Sequence, residues 1–359
     1  MNALPLELDL YSDYLVVNQG QASATRLAAL LEHEFSHDAF TRKLAQTDYG
    51  SRHLWQVVKP FVAKVASPAG VLLLDDTVEE KAHVQLNELI NYHYDHAKGR
   101  CVKGINQLTA LYYSQQVSLP LGYHLAKKTK TIQTKKGDKL VAEQTKQALF
   151  RDLIRQAMAN NVPFEYVLAD SWYGSVENMN YLIDKGKKFI FALKSNRLVA
   201  LSEADWQQGQ QRPMSELEWE ETTLPRVWLA GVKNALVLTR QVFLNKDGSR
   251  GELYLISNDL GVSAAHVEET YALRWKVEEF YKSIKSNTGY AHSPAHRVRT
   301  QSNHLFLSMV AFVKLEAVKV HTGLNHFALK ARLTLNALKT AWEQWKDYKQ
   351  VFSILALYA

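Results

Sequence analysis

Carboxylates close two apolar stretches of this chain. "VLLLDDT" (71–77) is an apolar run ending in Asp75 and Asp76, and "YVLAD" (166–170) is another ending in Asp170. In α/β sheets, ligands sit beyond the carboxyl ends of strands, so an Asp there is either a turn or capping residue or part of a site. A third source is "YALRWKVEEFYKSIKS" (271–286). At about 100° per residue, Tyr271, Arg274, Glu278 and Lys285 share an arc of roughly 60°, and Leu273, Val277, Phe280 and Ile284 share another, centred about 120° away. One helix is predicted, with an apolar face and a face gathering Tyr, Arg, Glu and Lys. Glu279 falls off that second face. A solvated face would carry similar charges, and Arg274 and Glu278 have the i,i+4 spacing of a surface pair.

Carboxylates from two strand ends and a helix are oxygen donors for a hard divalent cation. Mg²⁺ keeps several waters and is usually held by one or two carboxylates plus substrate phosphates. Two such ions, about 4 Å apart, activate a nucleophile and stabilise the leaving oxygen in an in-line phosphoryl displacement. Arg274, Lys285 and Lys81 would then contact phosphates. Adjacent strand residues face opposite sides, so Asp75 and Asp76 compete for one place.

The elements that must carry these residues read as a mixed α/β domain. "INQLTALYYS" and "VSLPLGYHL" are strand candidates, followed by six lysines between Lys127 and Lys139 in a hairpin tip or loop. Thr145 to Asn160 and "VENMNYLIDKG" read as helices, and "EYVLAD" and "KFIFALKSN" as buried strands. Alternating stretches in 198–262 ("RVWLAGV", "ALVLTRQVFL", "ELYLIS") predict a β-rich insertion. Short helices are expected over residues 23–65, with Ser36 and Ser51 as N-caps and Arg42, Lys43 and Arg52 near the turns, in the manner of a DNA-reading helical region or a small packing bundle.

Composition narrows the class. The chain has 359 residues, 47% apolar and 22% charged, as in soluble globular proteins. The formal charge is +7 and the pI about 9.1, which favours polyanionic partners such as nucleic acid. No apolar run reaches the roughly 18 residues of a membrane span. The N-terminus has no basic region before an apolar one, so no secretory signal is expected. Cys101 is the only cysteine, which excludes an intramolecular disulfide and fits a reducing cytoplasm.

"YALRWKVEEFYKSIK" resembles the Y-x2-R-x3-E-x6-K signature of DDE-type insertion-sequence transposases of the insertion-sequence-four-like superfamily. "DDT" and "LADSWYGS" resemble that family's first and second acidic motifs, and "YDHAKGRCVKGINQLTALYY" the segment after the first. The resemblance covers about residues 70–310. It implies a ribonuclease-H-like catalytic domain in two parts (67–197 and 263–310) around the insertion, with helical regions at 1–66, where DNA would bind, and 311–359. It also implies a metal-binding, catalytic triad of Asp76, Asp170 and Glu278, since the Asp directly before Thr77 matches the motif, and DNA contacts from Tyr271, Arg274 and Lys285. Lys81, Arg297 and Arg299 are further candidates for phosphates.

The activity implied is cut-and-paste transposition: binding of terminal inverted repeats, metal-dependent cleavage and strand transfer to target DNA. Two Mg²⁺ ions (or Mn²⁺), a homodimer at synapsis and a bacterial, cytoplasmic, nucleoid-associated location go with it. The alternatives are a non-transposing nuclease on the same fold and a DNA-binding derivative without catalysis. Some relatives hold a flipped base on a Trp of the insertion, where Trp206, Trp219 and Trp228 lie here, although such residues also serve as core. The cluster His93, Asp95 and His96 is too small by itself for a zinc site. Lys194 ends a strand near the presumed site and is a further phosphate candidate. "KGKK" (185–188) reads as a helix end whose cations complement the dipole.

Overall fold

A computed structural model describes residues 4–95, 98–134, 137–218, 224–245 and 247–355. In chain order the elements are helices α1 (Leu6–Val17), α2 (Ala24–Leu30), α3 (His37–Gln46) and α4 (Ser51–Val65); strands β1 (Val71–Glu80), β2 (Asn91–Asp95), β3 (Arg100–Ser114), β4 (Val117–Leu125), β5 (Lys128–Thr134) and β6 (Gly137–Ala142); then α5 (Lys146–Ala159), β7 (Tyr166–Ala169), α6 (Val176–Asp184) and β8 (Lys188–Leu193). There follow β9 (Leu198–Val199), α7 (Glu203–Gln207), β10 (Arg212–Pro213), β11 (Arg226–Val227), β12 (Leu236–Leu244), β13 (Arg250–Ser257), α8 (Ala264–Ala272), α9 (Trp275–Asn287), α10 (Val298–Thr322) and α11 (His326–Leu355). The chain divides into two compact units, Met1–Tyr49 with Lys282–Ala359, and Gly50–Tyr281.

The larger unit is built on one mixed sheet. Strand β3 lies antiparallel to β1 on one side and to β4 on the other, β7 is parallel to β1, and β8 is parallel to β7. This β4-β3-β1-β7-β8 order is the ribonuclease-H-like arrangement, so the expected α/β class holds. The central strands are apolar without alternation because helices cover the sheet: Val71 to Leu74 and Tyr166 to Ala169 are all buried. Gly104 lets β3 approach β1, since a Cβ there would collide with the Glu79 carbonyl.

The structure departs from the sequence reading in several places. Strand β2 pairs with the first third of β3 and was not foreseen. The lysine-rich stretch is mostly two paired strands, β5 and β6, while Lys135 and Lys136 lie outside the described residues. The insertion does not form a separate layer. Strand β13 pairs with β8 and β12 with β13, so the insertion prolongs the central sheet. "RVWLAGV" contributes only β11 and an isolated bridge from Trp228 to Ala200.

Ser51 does not cap α4. Gly50 holds that position, and the Ser51 hydroxyl instead exchanges hydrogen bonds with the Tyr123 backbone. The single helix predicted over 271–286 is two. Helix α8 ends at Ala272 and α9 starts at Trp275, with a tight turn in which the Arg274 N–H donates to the Tyr271 carbonyl at 2.9 Å and the Lys276 N–H to that of Leu273 at 2.9 Å. These i→i+3 bonds tighten the chain and break the continuous helical face.

The smaller unit joins the first three helices to the last two. Ser36 caps α3 as predicted, accepting from the Ala39 N–H. Asn303, buried on α10, donates to the carbonyls of Leu44 and Thr47 and accepts from the Tyr49 N–H, which satisfies the open end of α3. Among the described residues no helix is long and apolar enough to cross a membrane.

Candidate active site

The two adjacent aspartates of β1 have opposite surroundings, as strand alternation requires. Asp76 is enclosed by donors. Lys146 of α5 lies 2.6 Å from its Oδ2, the Tyr173 hydroxyl donates to Oδ1 at 2.6 Å, and the Asn106 amide of β3 donates to Oδ2 at 2.5 Å. Burial alone would push the Asp76 carboxyl up; the Lys146 charge and these hydrogen bonds outweigh it and hold the group below the ordinary carboxylate range.

Asp75 faces other carboxylates. Burial, then the charges of Asp170, Asp76 and Glu278, hold its carboxyl well above the ordinary range. One guanidinium nitrogen of Arg274 stands 3.6 Å from Asp75 and 3.3 Å from Glu278. The Asp75 backbone is fixed from α9, whose Tyr281 hydroxyl donates to its carbonyl at 2.5 Å. Asp76, the residue expected in the triad, is the one enclosed by Lys146, Tyr173 and Asn106, while the Asp170 and Glu278 charges act on Asp75.

Asp170 follows the end of β7. Its Oδ1 accepts from the Trp172 N–H at 3.0 Å, forming a tight turn into "SWYG". Burial raises its carboxyl; the backbone donors and the Arg274 charge oppose this and the Asp76 charge adds to it. Glu278 sits in the first turn of α9, where the helix dipole favours a carboxylate. Glu279 points elsewhere and pairs with Lys276 at 2.9 Å.

The candidate DNA contacts are scattered. Tyr271 is buried, and its hydroxyl donates to the Ala169 carbonyl at 3.4 Å. It stays beside the acids: the Arg274 guanidinium lies 6.0 Å from its ring centre, and burial together with the Asp170 and Asp75 charges pushes its hydroxyl up against the opposing Arg274 charge. Lys81 is also buried, and burial lowers its ammonium despite the Glu79 charge. Lys285 lies in the last turn of α9 and, with Arg297 and Arg299, in the smaller unit. Arg299 is held by Asp48 at 2.9 Å and by the Ala45 carbonyl. Lys194 is exposed just past β8.

Sequence reasoning missed Lys146, Tyr173, Asn106 and Tyr281. A signal existed for two of them: Tyr173 lies inside the second acidic motif, and Asn106-Gln107 is a polar pair in an otherwise apolar strand. Of the other motifs, His93 is buried on β2, while His96 and Trp219 lie outside the described residues.

By donor chemistry, Asp75, Asp170 and Glu278 fit a hard divalent cation: all three offer oxygens, and the Asp170 and Glu278 charges both act on Asp75. Their spacing is looser than a closed cage. Among the described residues no three or more His, Cys, Asp or Glu side chains stand close enough to hold an ion.

A carboxylate midway along β1, which runs on to Glu80 rather than ending at the acids as the sequence suggested, one just past the end of β7 and one from a later helix, gathered on a ribonuclease-H-like sheet, define a class of phosphodiester-cleaving nucleases. The chain belongs to the DDE superfamily endonuclease family, which matches residues 6–238, more than half of its length. That stretch includes Asp75, Asp76 and Asp170 and stops before Glu278. Enzymes of this superfamily use divalent metal ions. Among solved structures, a Mos1 transposase paired-end complex with left transposon end is similar at 10% identity and a TM-score of 0.19, over 53% of this chain. The match takes in 59% of that transposase chain, less than two thirds of it. No curated protein matches the chain.

Proposed function

We propose that this protein is a DNA transposase of the insertion-sequence-four-like kind. It would bind the terminal inverted repeats of a mobile element as a dimer, cut at the ends and join them to target DNA. The observation that carries this reading is the Asp75 environment: a buried carboxylate raised by Asp170 and Glu278, with one arginine set between it and the glutamate. Neutralising such a cluster is worth most in a site that binds cations or phosphates.

In this reading Asp75, rather than Asp76, joins Asp170 and Glu278 as metal ligand. Bound Mg²⁺ would supply Lewis-acid stabilisation and a more acidic nucleophile. Arg274 neutralises the phosphate that enters between the carboxylates. Tyr281 fixes the Asp75 backbone, and Asp76 anchors Lys146 and Tyr173 behind the site. Both steps are displacements at phosphorus. Water first attacks a phosphodiester, forming a new P–O bond as the 3′ oxygen leaves and takes a proton. That 3′ hydroxyl then attacks a target phosphodiester and loses its proton, and a target 3′ oxygen leaves.

The test is cleavage and strand transfer on DNA carrying the repeats that flank the gene, with Mg²⁺. Asp75→Ala, Asp170→Ala and Glu278→Ala should each abolish both steps. Full activity in any of the three variants would remove that residue from the site. Cleavage without strand transfer would favour a plain nuclease.

A further inference from the structure

Arg274 sits in the break between α8 and α9, where the chain has left one helix and not yet entered the next. From that turn its side chain reaches the acids. One guanidinium nitrogen stands 3.6 Å from an Asp75 oxygen and 3.3 Å from one of Glu278. The Tyr271 ring backs the guanidinium at 6.0 Å, and the Arg274 charge also acts on Asp170. One cation therefore acts on all three carboxylates that fit a metal. Among the described residues no three such side chains are close enough to hold an ion, and Arg274 stands between two of these.

A divalent ion and Arg274 thus compete for the same carboxylate oxygens. Titration cannot resolve the conflict, because a guanidinium keeps its proton. Burial opposes the Arg274 charge, and Tyr271, Asp75 and Glu278 outweigh burial. A divalent ion arriving at Asp75 meets this fixed positive charge at contact distance and is repelled. The contacts themselves are easily exchanged. The Glu278 side chain is 41% exposed, and its i,i+4 pair with Arg274 has the surface geometry that contributes little to stability. The Asp75 pair, at 3.6 Å, is longer than a charge-assisted hydrogen bond. A phosphodiester offers the planar fork two oxygens and is the better partner.

We propose that Arg274 is a built-in counter-ion that withholds the acids from a divalent cation until DNA arrives. While it bridges Asp75 and Glu278, the cation binds weakly. A phosphate entering the site draws the guanidinium onto its own oxygens and frees both carboxylates for the ion. Metal and DNA then bind cooperatively, each tightening the other by the same factor. The inference rests on the metal-dependent DNA-processing reading above and adds that the two ligands are coupled through one side chain.

The experiment measures Mn²⁺ binding to the full chain from the electron paramagnetic resonance signal of the free ion. It is run with and without a blunt duplex that ends at the flanking repeat, and Mn²⁺ held by the duplex alone is subtracted. DNA should tighten Mn²⁺ binding by the wild type roughly five- to 150-fold. Without DNA, Arg274→Gln should bind Mn²⁺ more tightly than the wild type by a similar factor and gain little more from DNA. Arg274→Lys keeps the charge and should stay closer to the wild type. Unchanged or weaker DNA-free binding in Arg274→Gln overturns the counter-ion role and leaves the metal reading standing. Equal tightening by the Gln and Lys variants does the same, since charge would then not be the cause. If the wild type binds no Mn²⁺ with or without the duplex, or if Asp170→Asn and Glu278→Gln bind it as well as the wild type does, the metal reading falls together with the proposal.

Discussion

Replacing each of the adjacent aspartates by asparagine should move stability in opposite directions. Burial and three nearby carboxylates hold the Asp75 carboxyl well above the usual range. A carboxylate whose folded pKa is raised destabilises the fold once ionised: the penalty starts as pH rises past the unfolded value near 4 and is complete above the folded value. Asp75→Asn removes the charge and keeps the shape. It should stabilise the Gly50–Tyr281 unit by about 1–2 kcal/mol, the usual gain from relieving functional-site strain, or roughly 2–8 °C in Tm. Asp76 is the reverse case, held below the usual range by Lys146, Tyr173 and Asn106. Its contribution is present above the unfolded value and is lost as pH falls through the folded one. Asp76→Asn leaves the Lys146 ammonium without its anion. Breaking a buried pair costs about 3–5 kcal/mol, and with Lys146 29% and Asp76 16% exposed a loss of about 2–3 kcal/mol is expected. The assay is thermal unfolding in EDTA at pH 5 and pH 7. The Asp75→Asn gain should be smaller at pH 5, where more of the wild-type aspartate is protonated. Stabilisation by both variants, or loss by both, would refute the assignment of the two faces.

Saturating Mg²⁺ at about 100 times its Kd should stabilise the wild type by about 2.7 kcal/mol, and this gain should vanish in Asp75→Asn but survive in Asp76→Asn, read by melting with and without the ion. Glu278→Gln should abolish DNA cleavage, whereas Glu279→Gln removes only the exposed Lys276 pair, worth at most about 1 kcal/mol, and should cut normally. In the smaller unit, burial and the Lys319 charge lower buried His326 from 6.5 to about 4. A lowered histidine gives stability that is full above 6.5 and lost as pH falls to about 4, here about 3 kcal/mol. His326→Gln should flatten that part of the pH–stability curve in urea titrations.

Much of the larger unit was legible in the chain itself. The apolar runs of "VLLLDD" and "YVLAD" are buried because both sheet faces are covered; Asp170 follows the end of its strand as expected, whereas Asp75 and Asp76 lie inside β1, which runs on to Glu80. The β-branched and aromatic alternation of 236–257 likewise announced its strands, and Ser36 announced its helix as a cap. Helical spacing separated Glu278 from Glu279, and in the structure Glu278 meets Arg274 while Glu279 pairs with Lys276.

Periodicity failed where long-range packing decided. It read 271–286 as one helix, because nothing in the local pattern of "YALRWKVEEF" signals that Tyr271 must bury its hydroxyl against the Ala169 carbonyl while Glu278 begins a new helix. It could not say which strands the insertion pairs with, because which edge a strand joins is set by hydrogen-bonding partners distant in sequence. Above all, alternation showed that only one of Asp75 and Asp76 could turn toward the other acids, and the motif match chose Asp76. The choice depends on Lys146 from α5, Tyr173 from the loop after β7 and Asn106 from β3. These three meet one carboxylate only when the sheet and its covering helices have closed, so the sequence alone determined that an acidic site exists, and the tertiary packing decided which aspartate faces it.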